Sequence, residues 1–150
     1  MTDNAVDDSE YDPSPAAWVR DQVGAIEAAG DTRAVDIMGR PVVLLTMRGA
    51  KSGRVRKVPL MRVEYEGSYA VVASKGGAPE HPVWYHNLLA NPRIEFQDGT
   101  ERFAAEAHLA YDARRAEWWP RCVAAFPPYA EYQGNTARTI PVFVVTRASG

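Results

Sequence analysis

The chain is poor in the residues that build metal centres and cross-links. Of its 150 residues one is a cysteine, Cys122, and three are histidines, His81, His86 and His108. A lone cysteine forms no internal disulfide, which suits a reducing compartment. The histidines fall in a loop, a helix and a strand, and no Cys/His spacing matches a metal site, so no metal is expected. Cys122 has no histidine partner in its pattern and reads as a small buried hydrophobe rather than a nucleophile. No apolar run approaches the roughly 20 residues of a membrane span. The N-terminus lacks the basic-then-apolar pattern of a secretion signal. A G-x-S-x-G nucleophile elbow is missing, and Gly49-Ala50-Lys51-Ser52 lacks the glycines of a P-loop. A net charge of -2 gives no general attraction to nucleic acid, and few aromatics interleave with the basic residues to stack bases. A soluble cytoplasmic protein is expected.

Charge of one sign is also missing locally. Residues 1–19 carry Asp3, Asp7, Asp8, Glu10 and Asp12 and no Lys or Arg. From Ile37 to Val63 there is no acid, yet Arg40, Arg48, Lys51, Arg54, Arg56, Lys57 and Arg62 lie there, 7 of the 17 basic residues. Either an anionic ligand meets that surface, or it is a solvated basic hairpin balanced by acids elsewhere. Residues 1–13, acidic and poor in apolar side chains, read as a disordered leader. Residues 14–150 read as one domain, and a chain of this size buries roughly 68–70% of its unfolded surface.

Ser14-Pro15 is a helix start and Gly30 a stop, with Val19, Val23 and Ile26 at helical spacing between them. Strands are predicted from Val42 to Met47, Val55 to Tyr65, Tyr69 to Ser74, Arg93 to Gln97, Phe103 to Leu109 and Ile140 to Thr146. Asp98-Gly99 is a hairpin signal. Pro82 opens a short helix stopped at Asn91-Pro92. Asp112 can cap a helix whose stripe is Ala116, Trp119, Val123 and Phe126, with a kink or break at Pro120. The fold expected is mainly β (α+β), six antiparallel strands in a barrel decorated by short helices. Strand–helix–strand alternation is absent, which disfavours a Rossmann domain.

Three segments lie where strands end or a helix begins: Lys51-Ser52-Gly53 with Arg56 and Pro59, Ser74-Lys75-Gly76-Gly77, and Pro82-Val83-Trp84-Tyr85-His86-Asn87-Leu88. Glycine-flanked turns expose backbone N–H groups, Ser52 and Ser74 add donors, and Lys51 and Arg56 supply charge for a phosphate. Trp84 offers a flat face to a ring. Together they suggest an anionic, ring-bearing cofactor; the plainer alternative is two hairpin turns and a core tryptophan.

The runs TMRGAKSGRVRKVPL, ASKGGAPEHPVWYHNLLANPRIE and EWWPRCVAAFPPYAEYQGNTARTIPVFV resemble the actinobacterial deazaflavin (F420)-dependent nitroreductases and F420H2-dependent quinone reductases over about residues 40–147. The resemblance implies a split β-barrel related to flavin-mononucleotide-binding oxidoreductases, with coenzyme F420, an 8-hydroxy-5-deazaflavin bearing a phosphate and a polyglutamate tail. It implies that Lys51, Ser52 and Arg56 hold the phosphate, with Gly53 also among the cofactor-binding residues and Arg48, Arg54 or Lys57 near the glutamates. Pro59 and Met61 border the ring, and Ala73, Ser74, Lys75 and Gly76 bind the deazaflavin and ribityl chain beside Trp84. Tyr129 and Tyr132, with Ser74, would orient a quinone or nitro oxygen, unless the tyrosines only close the lid. Asn135 departs from an aromatic that some members carry there. The activity implied is hydride transfer from reduced deazaflavin to a quinone, with nitroaromatic reduction beside it; the alternative is a non-catalytic F420 carrier. Peripheral contact with the inner face of the cell membrane and the oligomeric state are left open, a monomer being the first expectation.

Overall fold

The computed structural model describes residues 10–148 of the chain. One antiparallel sheet carries the fold: β1 (Val42–Arg48), β2 (Val55–Met61), β3 (Glu64–Tyr65), β4 (Ser68–Val72), β5 (Arg93–Asp98), β6 (Glu101–Leu109) and β7 (Val142–Arg147). The strand order is β2-β1-β5-β6-β7-β4-β3. Helices α1 (Ala17–Ala29), α2 (Val83–Ala90), α3 (Asp112–Ala125) and α4 (Pro128–Gly134) lie between and before the strands.

The strand count is seven, one more than the sequence predicts. The expected strand from Val55 to Tyr65 is two, β2 at one end of the strand order and β3 at the other. Only Arg62 and Val63 separate them, and the step from Met61 to Glu64 reaches roughly 10 Å when fully extended. The two ends of the sheet therefore come close together, and the sheet curls into a split barrel. At the corner the Arg62 amide donates to the Pro41 carbonyl at 3.1 Å. Its guanidinium meets Asp98 at 2.9 and 3.0 Å, and one residue later the Val63 carbonyl already accepts from Ala70 N–H of β4 at 2.9 Å.

Both faces of the sheet are covered, which explains its long apolar runs. Inside the barrel Val43, Leu45 and Met47 of β1 meet Tyr69, Val71, Ile94, Phe96, Phe143 and Val145. On the other face Val42 and Leu44 receive Val19, Val23 and Ile26 of α1. Ala70, Val72, Val142 and Val144 receive α3 and α4. Pro59 is tolerated because β2 lies at the end of the sheet.

Helix boundaries differ in instructive ways. Ser14 is not the cap of α1: its Oγ accepts from the Ala16 amide at 3.1 Å and the helix begins at Ala17. Gly30 does end it, at φ 68. Asp112 is the first residue of α3 rather than its cap. α3 runs unbroken through Pro120, and its buried line is Trp118, Cys122 and then Phe126, leaving Trp119 and Val123 half-buried. The burial of Cys122 pushes its thiol up to about 12, so it stays protonated in the core. Of the expected leader, residues 1–9 lie outside the described residues. At 10–12 the chain is laid along β2: Tyr11 bridges Val55, and the Asp12 amide donates to the Val55 carbonyl at 2.8 Å.

Candidate functional site

A cavity of about 600 Å³ opens between β2, the loop after β4, the start of α2 and the α3–α4 corner. Arg56, Pro59 and Met61 line it from β2, Ser74, Lys75 and Gly76 from the loop, and Trp84 from α2. Phe126, Tyr129 and Tyr132 line the side formed by α4 and the chain before it. Four stretches far apart in sequence thus meet at one place, and the volume lies within the roughly 300–1,000 Å³ of small-molecule sites.

The expected residues do not all reach the cavity. Lys51, Ser52 and Gly53 form the exposed tip of the β1–β2 hairpin and are not part of its lining. The tip is braced: Gly49 N–H donates to Arg54 O at 2.8 Å, Ser52 Oγ accepts from Arg54 N–H at 3.1 Å, and Gly53 sits at φ 70. Ala73 is fully buried behind the lining. Lys57 does line the cavity but is turned away from the tip's surface, its side chain only 2% exposed, paired with Glu27 of α1 and 4.8 Å from the centre of the Tyr11 ring.

The acid-free segment finds its acids in other parts of the chain. Arg48 Nη1 lies 2.6 Å from Glu10 Oε1, and Asp12 Oδ2 lies 3.3 Å from Arg56 Nη1 and 3.9 Å from Arg54 Nε. Lys51 contacts no acid among the described residues. The balanced-hairpin alternative is therefore partly realised, by contacts that are half exposed and open to exchange with a ligand anion.

The loop after β4 has an unusual backbone. Ser74 is right-handed helical, at φ -79 and ψ -40. Lys75, Gly76 and Gly77 follow at φ 46, 63 and 84. A right-handed residue followed by a left-handed one turns successive amides to one side, the concavity that cradles anions and carbonyl oxygens. Gly77 is required for a second reason: a Cβ there would lie 2.8 Å from the Tyr132 carbonyl oxygen.

On the lid side Tyr129 is 5% exposed and packs edge-on to Phe126 with ring centroids 4.9 Å apart. Burial raises its phenol well above the ordinary range, so at neutral pH Tyr129 is a hydrogen-bond donor and not a base. Trp84 leans on Phe143 of the barrel core, centroids 6.1 Å apart.

Two residues with no role in the sequence reading organise this site. Asn87, buried in α2, accepts from Ala50 N–H at 2.9 Å and so ties the hairpin tip to the helix. An amide inside an apolar helix is the signal that could have found it. Arg138 donates to carbonyls of the loop after β4. Its partners lie 57 to 65 residues away in sequence, and no local pattern reveals them.

His81 sits beside this loop, stacked on Tyr85 with centroids 4.0 Å apart and 3.0 Å from Arg138. Desolvation, then Arg138 and His86, hold its pKa below the ordinary 6.5. Above that value the imidazole is neutral in folded and unfolded chains alike. As pH falls, the unfolded chain takes a proton that the folded one resists, so this stability is lost on acidification through the folded value. His81→Gln is expected to lose less stability than the native chain between about pH 7.5 and about pH 5. Urea unfolding at the two pH values checks this; equal losses would contradict it.

Among the described residues no group of three or more His, Cys, Asp or Glu is placed to hold a metal ion. Among the described residues no helix is long and apolar enough to cross a membrane.

Residues 18–147 match the family described as F420H(2)-dependent quinone reductase. A Mycobacterium tuberculosis (strain ATCC 25618 / H37Rv) protein named F420H(2)-dependent quinone reductase is 40% identical over 110 residues, 71% of this chain and 74% of its own. A solved structure named F420-H2 dependent reductase is 54% identical, with a TM-score of 0.67 over 74% of this chain and 98% of its own. Another, described as a domain-swapped dimer, is 52% identical, with a TM-score of 0.69 over 88% of this chain and 99% of its own. At 16% identity the likeness is of fold alone: HutZ, the heme storage protein of Vibrio cholerae, has a TM-score of 0.54 over 75% of this chain and 84% of its own.

Proposed function

This chain belongs to the F420H(2)-dependent quinone reductase family, and we propose that its cavity holds F420 against a quinone in an F420H2-dependent oxidoreductase. The observation that carries this reading is the convergence of Arg56, the Ser74–Gly76 backbone concavity, Trp84 and the two lid tyrosines on one cavity. The donor set fits the cofactor: a cation for phosphate at one part of the lining, amides and a hydroxyl for a polar ring edge, apolar faces for the ring.

When bound, reduced deazaflavin supplies a hydride from ring carbon 5. The chain's part is to hold and orient. Arg56 binds the phosphate, with Lys51 and Ser52 of the hairpin tip closing on it from outside the cavity. Arg48 and Arg54 meet the glutamate tail. Ser74 and the amides after it bind the ring's polar edge, while Pro59, Met61 and Trp84 border its faces. Tyr129 and Tyr132 donate hydrogen bonds to an acceptor oxygen, and the buried phenol of Tyr129 keeps its proton until then.

At the mouth Trp18, Met38 and Val83 are 56%, 73% and 69% exposed. This apolar rim suits a quinone and supports peripheral contact of a cytoplasmic protein with the inner membrane face. The domain-swapped relative supports a dimer ahead of the monomer first expected. Nitroaromatic reduction is a side activity to be assayed with the same acceptor panel.

The test is titration of the purified chain with F420 and with flavin mononucleotide, followed by turnover of reduced F420 on a menaquinone analogue. Selective F420 binding with turnover supports the reading. Preference for flavin mononucleotide, or tight F420 binding without turnover on any acceptor, contradicts it. Because Glu10 and Asp12 occupy the cations that a tail would use, Glu10→Gln with Asp12→Asn is expected to tighten F420 binding about threefold at low salt and hardly at high salt. Unchanged affinity at low salt would mean that the tail binds elsewhere.

A further inference from the structure

We infer that Arg138 is a positioning residue for the cofactor loop, setting the backbone shape through which that loop would bind the deazaflavin. The inference rests on the cofactor reading above, and goes beyond it to a residue that does not line the cavity.

The geometry is that of a clamp. Arg138 Nε donates to the Ala78 carbonyl at 2.8 Å, Nη1 to the Ala73 carbonyl at 3.1 Å, and Nη2 to the Ser74 carbonyl at 2.7 Å. Nη1 also lies 3.0 Å from His81 Nδ1. Since a guanidinium has only donors, Nδ1 accepts, and the neutral imidazole carries its proton on Nε2. One planar group thus bonds both ends of the loop from Ala73 to Ala78, and four of its five N–H donors are used.

What it holds is a conformation that residues do not take freely. Three consecutive residues, Lys75 to Gly77, have positive φ, and Lys75 among them has a Cβ. Such a backbone persists only where its surroundings fix it. Inside the loop two bonds help, Gly77 N–H to Ser74 O at 2.9 Å and Ala78 N–H to Lys75 O at 3.1 Å. The Ala73, Ser74, Lys75 and Ala78 carbonyls are all engaged by protein donors, and Ala73 N–H donates to the Pro141 carbonyl at 2.9 Å while Gly77 N–H and Ala78 N–H are used inside the loop. The amides of Ser74, Lys75 and Gly76 are then the donors left for a ligand, in the cavity that these three residues line.

Arg138 is itself held from the lid. Gln133 of α4 donates from Nε2 to the Arg138 carbonyl at 2.8 Å and accepts from Ile140 N–H at 2.9 Å. Gly77 meets the Tyr132 backbone one residue before Gln133. The clamp therefore sets the loop relative to the helix that carries Tyr129 and Tyr132, the spacing on which cofactor and acceptor would have to agree. Lysine cannot replace it, because an ammonium is a point donor without the planar fork.

The experiment compares Arg138→Lys and Arg138→Gln with the native chain in three readouts. Without ligand, amide hydrogen exchange at Gly77 and Ala78, the two amides bonded within the loop, is expected to quicken at least tenfold in both variants, with exchange in β1 and β5 unchanged. The F420 dissociation constant is expected to rise at least tenfold in both, so that lysine does not rescue. In turnover, KM for F420 should rise while KM for the quinone stays within about twofold. A merely structural role would quicken exchange across the barrel, or lower the active fraction and so kcat, with both KM values unchanged. Native-like loop exchange, or native F420 affinity in Arg138→Lys, overturns the inference. If the native chain itself fails to bind F420, the cofactor reading fails separately, and the exchange measurement alone decides whether Arg138 sets the loop.

Discussion

Gly77→Val is expected to lower stability by about 2–6 kcal/mol and to abolish detectable F420 binding. Gly77 has φ 84, and a Cβ on it would stand 2.8 Å from the Tyr132 carbonyl oxygen and 3.2 Å from its Cα. Neither atom is the free end of a side chain. Strain of a left-handed backbone costs roughly 1–3 kcal/mol, and forcing apart a packed contact costs roughly 1–3 kcal/mol more. For a chain of this size, at roughly 2–4 °C per kcal/mol, that is a melting point roughly 4–24 °C lower. The functional loss follows because relief requires the loop or α4 to move, and these carry the two sides of the cavity. Gly76→Ala is the control. It has φ 63 with nothing within 4 Å of its Cβ, so only the strain of about 1 kcal/mol applies. Urea unfolding and F420 titration measure both; a Gly77→Val protein as stable as Gly76→Ala would refute the close approach.

Arg56→Glu is expected to weaken F420 binding by about 100-fold or more at low salt while leaving the melting point within a few degrees. Arg56 lines the cavity, and its ion pair with Asp12 is partly exposed, the two side chains 31% and 42% accessible. Its loss therefore costs the fold little. A charge-assisted bond to a phosphate contributes roughly 1.5–3 kcal/mol, and a carboxylate in its place adds repulsion. At about 1.4 kcal/mol per tenfold this reaches the expected range. The difference should shrink as salt rises. An unchanged dissociation constant would place the anionic end of the ligand on another part of the hairpin, with Lys51 the next residue to replace.

The two variants probe features of very different visibility. Arg56 could be named from the sequence because basic residues without acids between them are a local pattern. Gly77 could be named as part of a glycine pair after a strand, but nothing local shows that Tyr132 stands against it. The same division runs through the fold. Val42 to Met47 reads as a strand from its composition, and Asp98-Gly99 as a hairpin from its turn chemistry. β3 reads as the end of one strand from Val55 to Tyr65, because nothing local shows that its two residues leave β1 to pair with β4 at the other end of the sheet. The buried line of α3 was misplaced by one residue because Trp118 and Trp119 are equally apolar, and only the packing of α3 on the barrel selects between them.

The sequence by itself determined the class of fold, most of the strand and helix segments though not α4, the family and hence the cofactor, because these depend on periodicity, turn residues and motifs read within short windows. Tertiary structure alone decided which motif residues share a cavity. Arg56, Ser74, Lys75, Gly76, Trp84, Tyr129 and Tyr132 meet there, whereas Lys51, Ser52 and Gly53 stand at the hairpin tip and Ala73 behind the lining. It also decided that Lys57 is neutralised by Glu27 under α1, that Glu10 and Asp12 reach the basic strand, and that Arg138 closes on a loop some 60 residues before it. Each of these is a contact between distant segments, set by the curl of the sheet that brings β2 round to β4 and by the helices packed over it. Spacing along the chain carries no record of such contacts.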